Sequence, residues 1–118
     1  TIDHRKYVME MYESQSNDKL CFCQMCENLV NKKYIETNKI IKQPKFEWEQ
    51  MYLCLCSNCS KDYILLRNNK VIWEKYIKEI SSINPSFESL IKVNIGNKKI
   101  AFTGVHFAEV QEIIKIIK

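Results

Sequence analysis

The chain has 118 residues, 46% of them hydrophobic and 11% aromatic, enough to build the core of one domain with a short extra arm. A net charge of +4, a pI near 8.7 and lysines scattered along the whole chain give no concentrated basic face of the kind that marks dedicated nucleic-acid domains. No apolar run approaches the roughly 20 residues of a membrane span, and the charged start Thr1-Ile2-Asp3-His4-Arg5-Lys6 reads as helix rather than as a secretory leader.

Residues 3–16 are predicted to be a helix, with Tyr7, Met11 and Ser14 on one face, Val8 and Met9 beside it and Asp3 as N-cap. Ser14-Gln15-Ser16-Asn17-Asp18 breaks it. Residues 1–19 are read as a connection from a preceding domain of a longer protein, a reading that the missing initiator Met favours, and 20–118 as the domain proper. Residues 20–26 form a first cysteine turn. Residues 33–37 and 47–55 follow as strands of a hairpin, with the turn at Lys42-Gln43-Pro44-Lys45. A second cysteine turn opens a helix through Arg67, Asn68-Asn69 interrupts it, and a further helix over 70–81 carries Ile72, Tyr76 and Ile80 on one face with Trp73 and Ile77 alongside. Asn84-Pro85 ends that helix. Ile91, Val93 and Ile95, then Ile100 and Phe102, alternate about Gly96-Asn97 as a hairpin with a two-residue turn. Thr103 caps a last helix through Lys118 that buries Phe107, Val110, Ile114 and Ile117.

The chemistry lies in two C-x-x-C pairs, Cys23-Gln24-Met25-Cys26 and Cys56-Ser57-Asn58-Cys59. Two thiolates from each turn complete a tetrahedral Zn²⁺ site, and the 29 residues between the pairs are enough for a hairpin. Six cysteines also permit three disulfides in a secreted protein. The paired spacing, only two glycines and two prolines, and the long helical stretches favour a reduced, cytoplasmic zinc protein instead. Four cysteines make a closed shell with no position for water or substrate, so the ion, one per chain, is structural. The order knuckle, hairpin, knuckle, helix is that of a treble clef in an α+β domain. It sets the second pair at a helix N-terminus, where the dipole and free N–H groups stabilise the net negative metal-thiolate cluster, and Lys61 in the first turn adds to this. Cys21 and Cys54 each lie two residues before a ligand pair. They are read as buried free thiols, with roles as alternative ligands or as thiols behind the ligands left open.

The knuckle-hairpin-knuckle-helix order resembles the scaffold of HNH-type nucleases. Phe22-Cys23-Gln24-Met25-Cys26, Tyr34-Ile35-Glu36, Tyr52 to Cys59 and Ile100-Ala101-Phe102-Thr103-Gly104-Val105-His106 resemble a cysteine module at the C-terminal end of sacsin-like and NO VEIN-like proteins, whose ATPase domains are of the GHKL type. The resemblance covers most of residues 22–117 and implies an accessory domain of a larger protein, without an ATP-binding motif of its own. The departure from HNH nucleases is in the chemistry. Glu36-Thr37-Asn38 stands where the hairpin histidine is expected, Ser60 stands where a metal-holding histidine is frequent, and there is no histidine between His4 and His106. Catalysis by this chain is not expected.

His106, in the first turn of the last helix, reads either as a ligand-binding imidazole kept neutral by the helix N-terminus or as a histidine hydrogen-bonded at the hairpin–helix junction, and the second reading is preferred. Glu36, Glu47 and Glu49 read as solvated strand positions. Three functions compete. The first is a recognition or scaffolding module that docks a protein partner or a neighbouring domain, to which Tyr7, Tyr12, Trp48, Tyr52 and Trp73 would contribute as aromatics in excess of core needs. The second is DNA or RNA binding, with Lys32, Lys33, Lys61 and Arg67 on phosphates and Lys39, Lys42, Lys45 and Lys70 in support. The third is an enzyme. The first is preferred, and no membrane partner is expected.

Overall fold

The computed structural model describes residues 4–41 and 47–117, apart from the side chain of His4. The expected N-cap at Asp3, the hairpin turn at Lys42-Gln43-Pro44-Lys45 and the phosphate contacts at Lys42 and Lys45 lie outside the described residues. The described chain runs α1 (His4–Met11), β1 (Leu20–Phe22), β2 (Leu29–Asn31), β3 (Ile35–Lys39), β4 (Tyr52–Cys56), α2 (Ser57–Arg67), α3 (Lys70–Ser82), β5 (Ile91–Ile95), β6 (Lys98–Phe102) and α4 (Gly104–Ile117). It is an α+β arrangement of three antiparallel hairpins, β1–β2, β3–β4 and β5–β6, with helices packed around them. Among the described residues no helix is long and apolar enough to cross a membrane.

Helix α1 ends five residues before the predicted limit because its downstream backbone finds other partners. Phe22 N–H donates to Tyr12 C=O at 2.8 Å, Ser14 N–H donates to Leu20 C=O at 2.9 Å, and Glu13 bridges to Cys21. A short extended pairing with β1 thus replaces the last helical turns. The β1–β2 hairpin was not expected from the sequence. Its strands are three residues each and carry no alternation to read. The strands of the second hairpin lie slightly later than predicted, because each is preceded by a 3-10 turn, Lys32–Tyr34 and Glu49–Met51. Asn31 Oδ1 caps the first of these turns by accepting from Lys33 N–H at 3.0 Å.

Strand β4 reads Tyr52-Leu53-Cys54-Leu55-Cys56, buried over its first four residues. Its alternate side chains enter two cores. Leu53 and Leu55 join the main core with Tyr63, Tyr76, Ile80, Phe102 and Phe107. Tyr52 and Cys54 join a smaller one with Val8, Tyr12, Cys21 and Ile35. A strand covered on both faces is a continuous apolar run, as this one is.

From α2 onward the local signals are obeyed. Asn68 N–H closes α2 on Ile64 C=O, and Asn69 Oδ1 caps α3 through Ile72 N–H. Gln111 Nε2 donates to the C=O groups of Ile80 and Ile83, which ties the end of α3 to α4. Ile91, Val93 and Ile95 point inward and Lys92 and Asn94 outward, and Gly96 takes φ +58° in the turn. Thr103 Oγ1 accepts from His106 N–H at 3.2 Å as the cap of α4, whose buried face carries Phe107, Val110 and Ile114.

Gly104 opens α4 against the backbone of the preceding loop. A Cβ there would lie 2.2 Å from Ser86 O and 2.9 Å from Phe87 Cα. At the first residue of α4 the propensity gain of Gly104→Ala falls short of the ~1 kcal/mol of a helix interior, and a clash with backbone atoms sits at the upper end of the ~1–3 kcal/mol cost of overpacking. The expected result is a lower urea midpoint with an unchanged m-value, and an unchanged or raised midpoint would show that the loop yields.

Candidate metal centre

The first C-x-x-C pair sits on the turn between β1 and β2. Cys23 N–H donates to Asn28 C=O and Glu27 N–H to Cys23 C=O, both at 2.9 Å, and Glu27 closes the turn in the left-handed region at φ +62°. The second pair straddles the β4–α2 junction: Cys56 is the last residue of β4 and the N-cap of α2, and Cys59 lies in the first turn of α2. The register Ile35↔Cys56 holds the second pair on the hairpin, and Cys56 N–H donates to Cys23 Sγ at 3.3 Å, linking the two turns.

The Sγ atoms of Cys23, Cys26, Cys56 and Cys59 all lie within 4.8 Å of one another. All six cysteines are free thiols. A tetrahedral zinc-thiolate site with Zn–S of about 2.3 Å has S–S edges of about 3.8 Å, so the four sulfurs are gathered to nearly that spacing. Burial pushes the Cys56 thiol up, but hydrogen bonds from Cys59 N–H and from the thiols of Cys59, Cys23 and Cys26 outweigh it and lower its pKa. Burial, and then the charge of Cys23, push Cys59 up. Four thiols crowded together cannot all ionise unless a cation shares their charge. The donor set fits one soft or borderline divalent ion and leaves no protein-free position on it. Cys26 is exposed and Cys23 fully buried, so the centre has one open edge.

Cys21 and Cys54 are fully buried and lie outside the group of four. They meet in the smaller core, where Cys21 Sγ donates to Met9 C=O at 3.4 Å and burial drives both thiols up. Lys61 is exposed, but α2 begins at Ser57 and Lys61 is its fifth residue, just past the first turn expected from the sequence.

Of the four cations singled out for phosphate contact, two are engaged by the protein itself. Lys32 Nζ pairs with Glu13 at 2.9 Å. Arg67 Nη1 donates to Lys39 C=O at 3.0 Å with its guanidinium over the Tyr63 ring, so it caps the edge of β3 rather than facing outward. Lys33 and Lys61 stay exposed. Lys39 lies 3.9 Å from Glu47.

The proposed aromatic excess is also corrected. Tyr12 and Tyr52 are core residues at 4% and 5% exposure, and Tyr7, Trp48 and Trp73 are half-buried. Among the described residues the exposed aromatics are Tyr34 and Phe87, at 55% and 70%. The folded core absorbs tyrosines because their hydroxyls reach partners, as Tyr7 does at Glu109 and Tyr52 at Glu47.

His106 is not open to a ligand. It is fully buried, with Nδ1 2.7 Å from Tyr12 Oη and Nε2 2.8 Å from Gln50 O. Gln50 C=O only accepts, so Nε2 carries the proton and Nδ1 accepts from the Tyr12 hydroxyl, whose oxygen accepts from Thr103 N–H at 3.2 Å. Burial lowers the His106 pKa to about 4. Between β3 and α2, Asn38 Nδ2 donates to Ser60 Oγ, which donates to Glu36 Oε1 at 3.2 Å. At 1% exposure Ser60 is spent on this seam.

Sequence reasoning missed Gln24, the most heavily bonded side chain near the centre. It is fully buried between β4 and β6. Its N–H donates to Cys54 C=O at 2.9 Å and its C=O accepts from Ala101 N–H at 2.7 Å. Its side-chain Nε2 donates to Ala101 C=O at 2.9 Å and its Oε1 accepts from Cys54 N–H at 2.7 Å. A lone polar residue inside a C-x-x-C carries no signal of this role, because both partners lie far away in the chain. Comparison with protein-family models, curated proteins and solved structures gives no match, so these assignments stand on side-chain chemistry and geometry alone.

Proposed function

We propose that the chain is a zinc-stapled, non-catalytic module of the treble-clef type that serves recognition or scaffolding within a larger protein. The observation that carries the reading is the gathering of four free thiols from two separate turns. The first turn lies in one hairpin and the second joins another hairpin to a helix. In this reading zinc is the ion, because an all-thiolate tetrahedron with no open position is its structural preference. The metal links β1–β2 to β4 and α2, and the net negative charge of the metal-thiolate cluster rests on the N-terminus of α2. Docking of a protein partner or a neighbouring domain is favoured over nucleic acid, since Lys32 and Arg67 are paired internally. The resemblance to the cysteine module of sacsin-like and NO VEIN-like proteins is part of the proposal and rests on the sequence motifs alone.

Native mass spectrometry of the reduced chain with elemental analysis tests the central claim. One zinc per chain is the expected result. No metal, with masses short by two hydrogens per cysteine pair, would mean disulfides and would overturn it. Retention on DNA or RNA that falls steeply with salt would move the function to nucleic-acid binding.

A further inference from the structure

Gln24 sits inside the first metal turn, and its amide imitates a peptide group. Backbone and side chain together accept and donate toward β4 on one side and toward β6 on the other. One residue thus serves as a rung between two hairpins that share no direct strand pairing. A second contact runs in parallel, the ion pair of Glu27 at the end of the turn with Lys92 on β5 at 3.1 Å. That pair is half-exposed and screened, and exposed pairs are weak. The two buried bonds of Gln24 to Ala101, backed by its two to Cys54, are therefore the main polar link between the metal turn and the C-terminal hairpin. The far end of that hairpin runs into Thr103, the cap of α4.

We propose that Gln24 couples metal occupancy to the seating of β5–β6 and α4, so that the C-terminal unit is held by the metal although it supplies no ligand to it. The inference rests on the reading of the four cysteines as a zinc site. A turn closed by two thiolates presents Gln24 at one depth and angle. An open turn does not, and both Ala101 and Cys54 then lose partners that cannot be replaced by water in a fully buried position. Coupling of this kind is reciprocal: what zinc does for the hairpin, the hairpin does for zinc.

Only glutamine fits the rung. Glutamate keeps an acceptor for Cys54 N–H but sets a carboxylate oxygen against Ala101 C=O, and methionine keeps the length but offers neither group. Asparagine is too short to span the gap.

Amide hydrogen exchange of the whole chain, with zinc and with a chelator, on wild type, Gln24→Met and Gln24→Glu, tests the proposal alongside zinc stoichiometry by native mass spectrometry. In wild type, chelation is expected to speed exchange along 98–102 and at the start of α4 by at least about tenfold. Both variants are expected to bind one zinc per chain, with weakened affinity, and to show fast exchange in that region whether or not zinc is present. Zinc-bound wild type in which chelation affects only residues 23–28 and 56–59 would overturn the coupling and leave the metal site standing. So would a variant that keeps the full zinc-dependent protection of 98–102. A wild type that binds no zinc would overturn both, and the stoichiometry separates that case from the others.

Discussion

Cys23→Ser and Cys59→Ser are expected to abolish zinc binding and cooperative folding together. Apparent zinc-binding free energies in small four-ligand modules are about 10–16 kcal/mol, as large as the whole stability of a typical domain, about 5–15 kcal/mol. Removing one thiolate at a buried corner also leaves a hydroxyl in its place, since Cys23 is fully buried and Cys59 is 9% exposed. Cys26→Ser, at the exposed edge, loses the ligand without that added cost. The controls are Cys21→Ser and Cys54→Ser. Their thiols lie in the smaller core, outside the group of four. Each is expected to keep one zinc per chain and to lose about 1–3 kcal/mol from burying a hydroxyl among apolar side chains. Elemental analysis and thermal melts followed by circular dichroism read both effects. A Cys23 or Cys59 variant with full metal and a native melt would refute the ligand assignment.

Stability is expected to fall as pH drops from about 6.5 to about 4, through the charging of His106. The folded pKa is lowered from 6.5 to about 4 by burial. In that window the unfolded chain binds a proton that the folded chain refuses, so acid favours unfolding. Above about 6.5 the effect is absent, and below about 4 it is complete, at about 3 kcal/mol. Burial explains the refusal: the rings of Tyr7 and Phe102 pack against the imidazole and the Tyr12 hydroxyl donates to Nδ1, while the hydrogen bond from Nε2–H to Gln50 C=O works the other way and favours the charged form. A protonated Nδ1 would face the hydroxyl hydrogen of Tyr12. Glu109 opposes this weakly with its charge. Denaturant titrations at several pH values, taken as the difference between wild type and His106→Gln, cancel the acid loss of metal common to both. A flat difference from pH 7 to 4 would show that His106 is not held neutral.

The structure recasts what His106 contributes. It joins α4 to Tyr12, just past α1, and to Gln50, ahead of β4, so it knits the chain ends to the middle. Side chains also cover backbone carbonyls of β3. Arg67 and Tyr63 cover Lys39 C=O on the outer edge of β3, and Arg5 reaches Ile35 C=O at 3.4 Å. An edge strand protected this way does not invite pairing with another chain.

Much of this protein could be read directly from its residues. The two C-x-x-C pairs pick out the four thiols that the fold gathers, because the spacing within each turn is a local property. Asn68-Asn69, Gly96-Asn97 and Thr103 place the breaks and caps from the end of α2 onward, because capping and turn chemistry act within about four residues. The periodicity of Ile72, Tyr76 and Ile80 marks the core face of α3 for the same reason. What the tertiary structure alone decided are the pairings between distant segments. Helix α1 stops early because Tyr12 and Ser14 pair with β1, the tyrosines turn inward because partners wait there, and Arg67 folds back onto β3. Gln24 and His106 gain their roles only when Cys54, Ala101, Tyr12 and Gln50, up to 94 residues away in the chain, are brought against them. A hydrogen bond is satisfied in space, and no periodicity along the chain records which distant group will supply it.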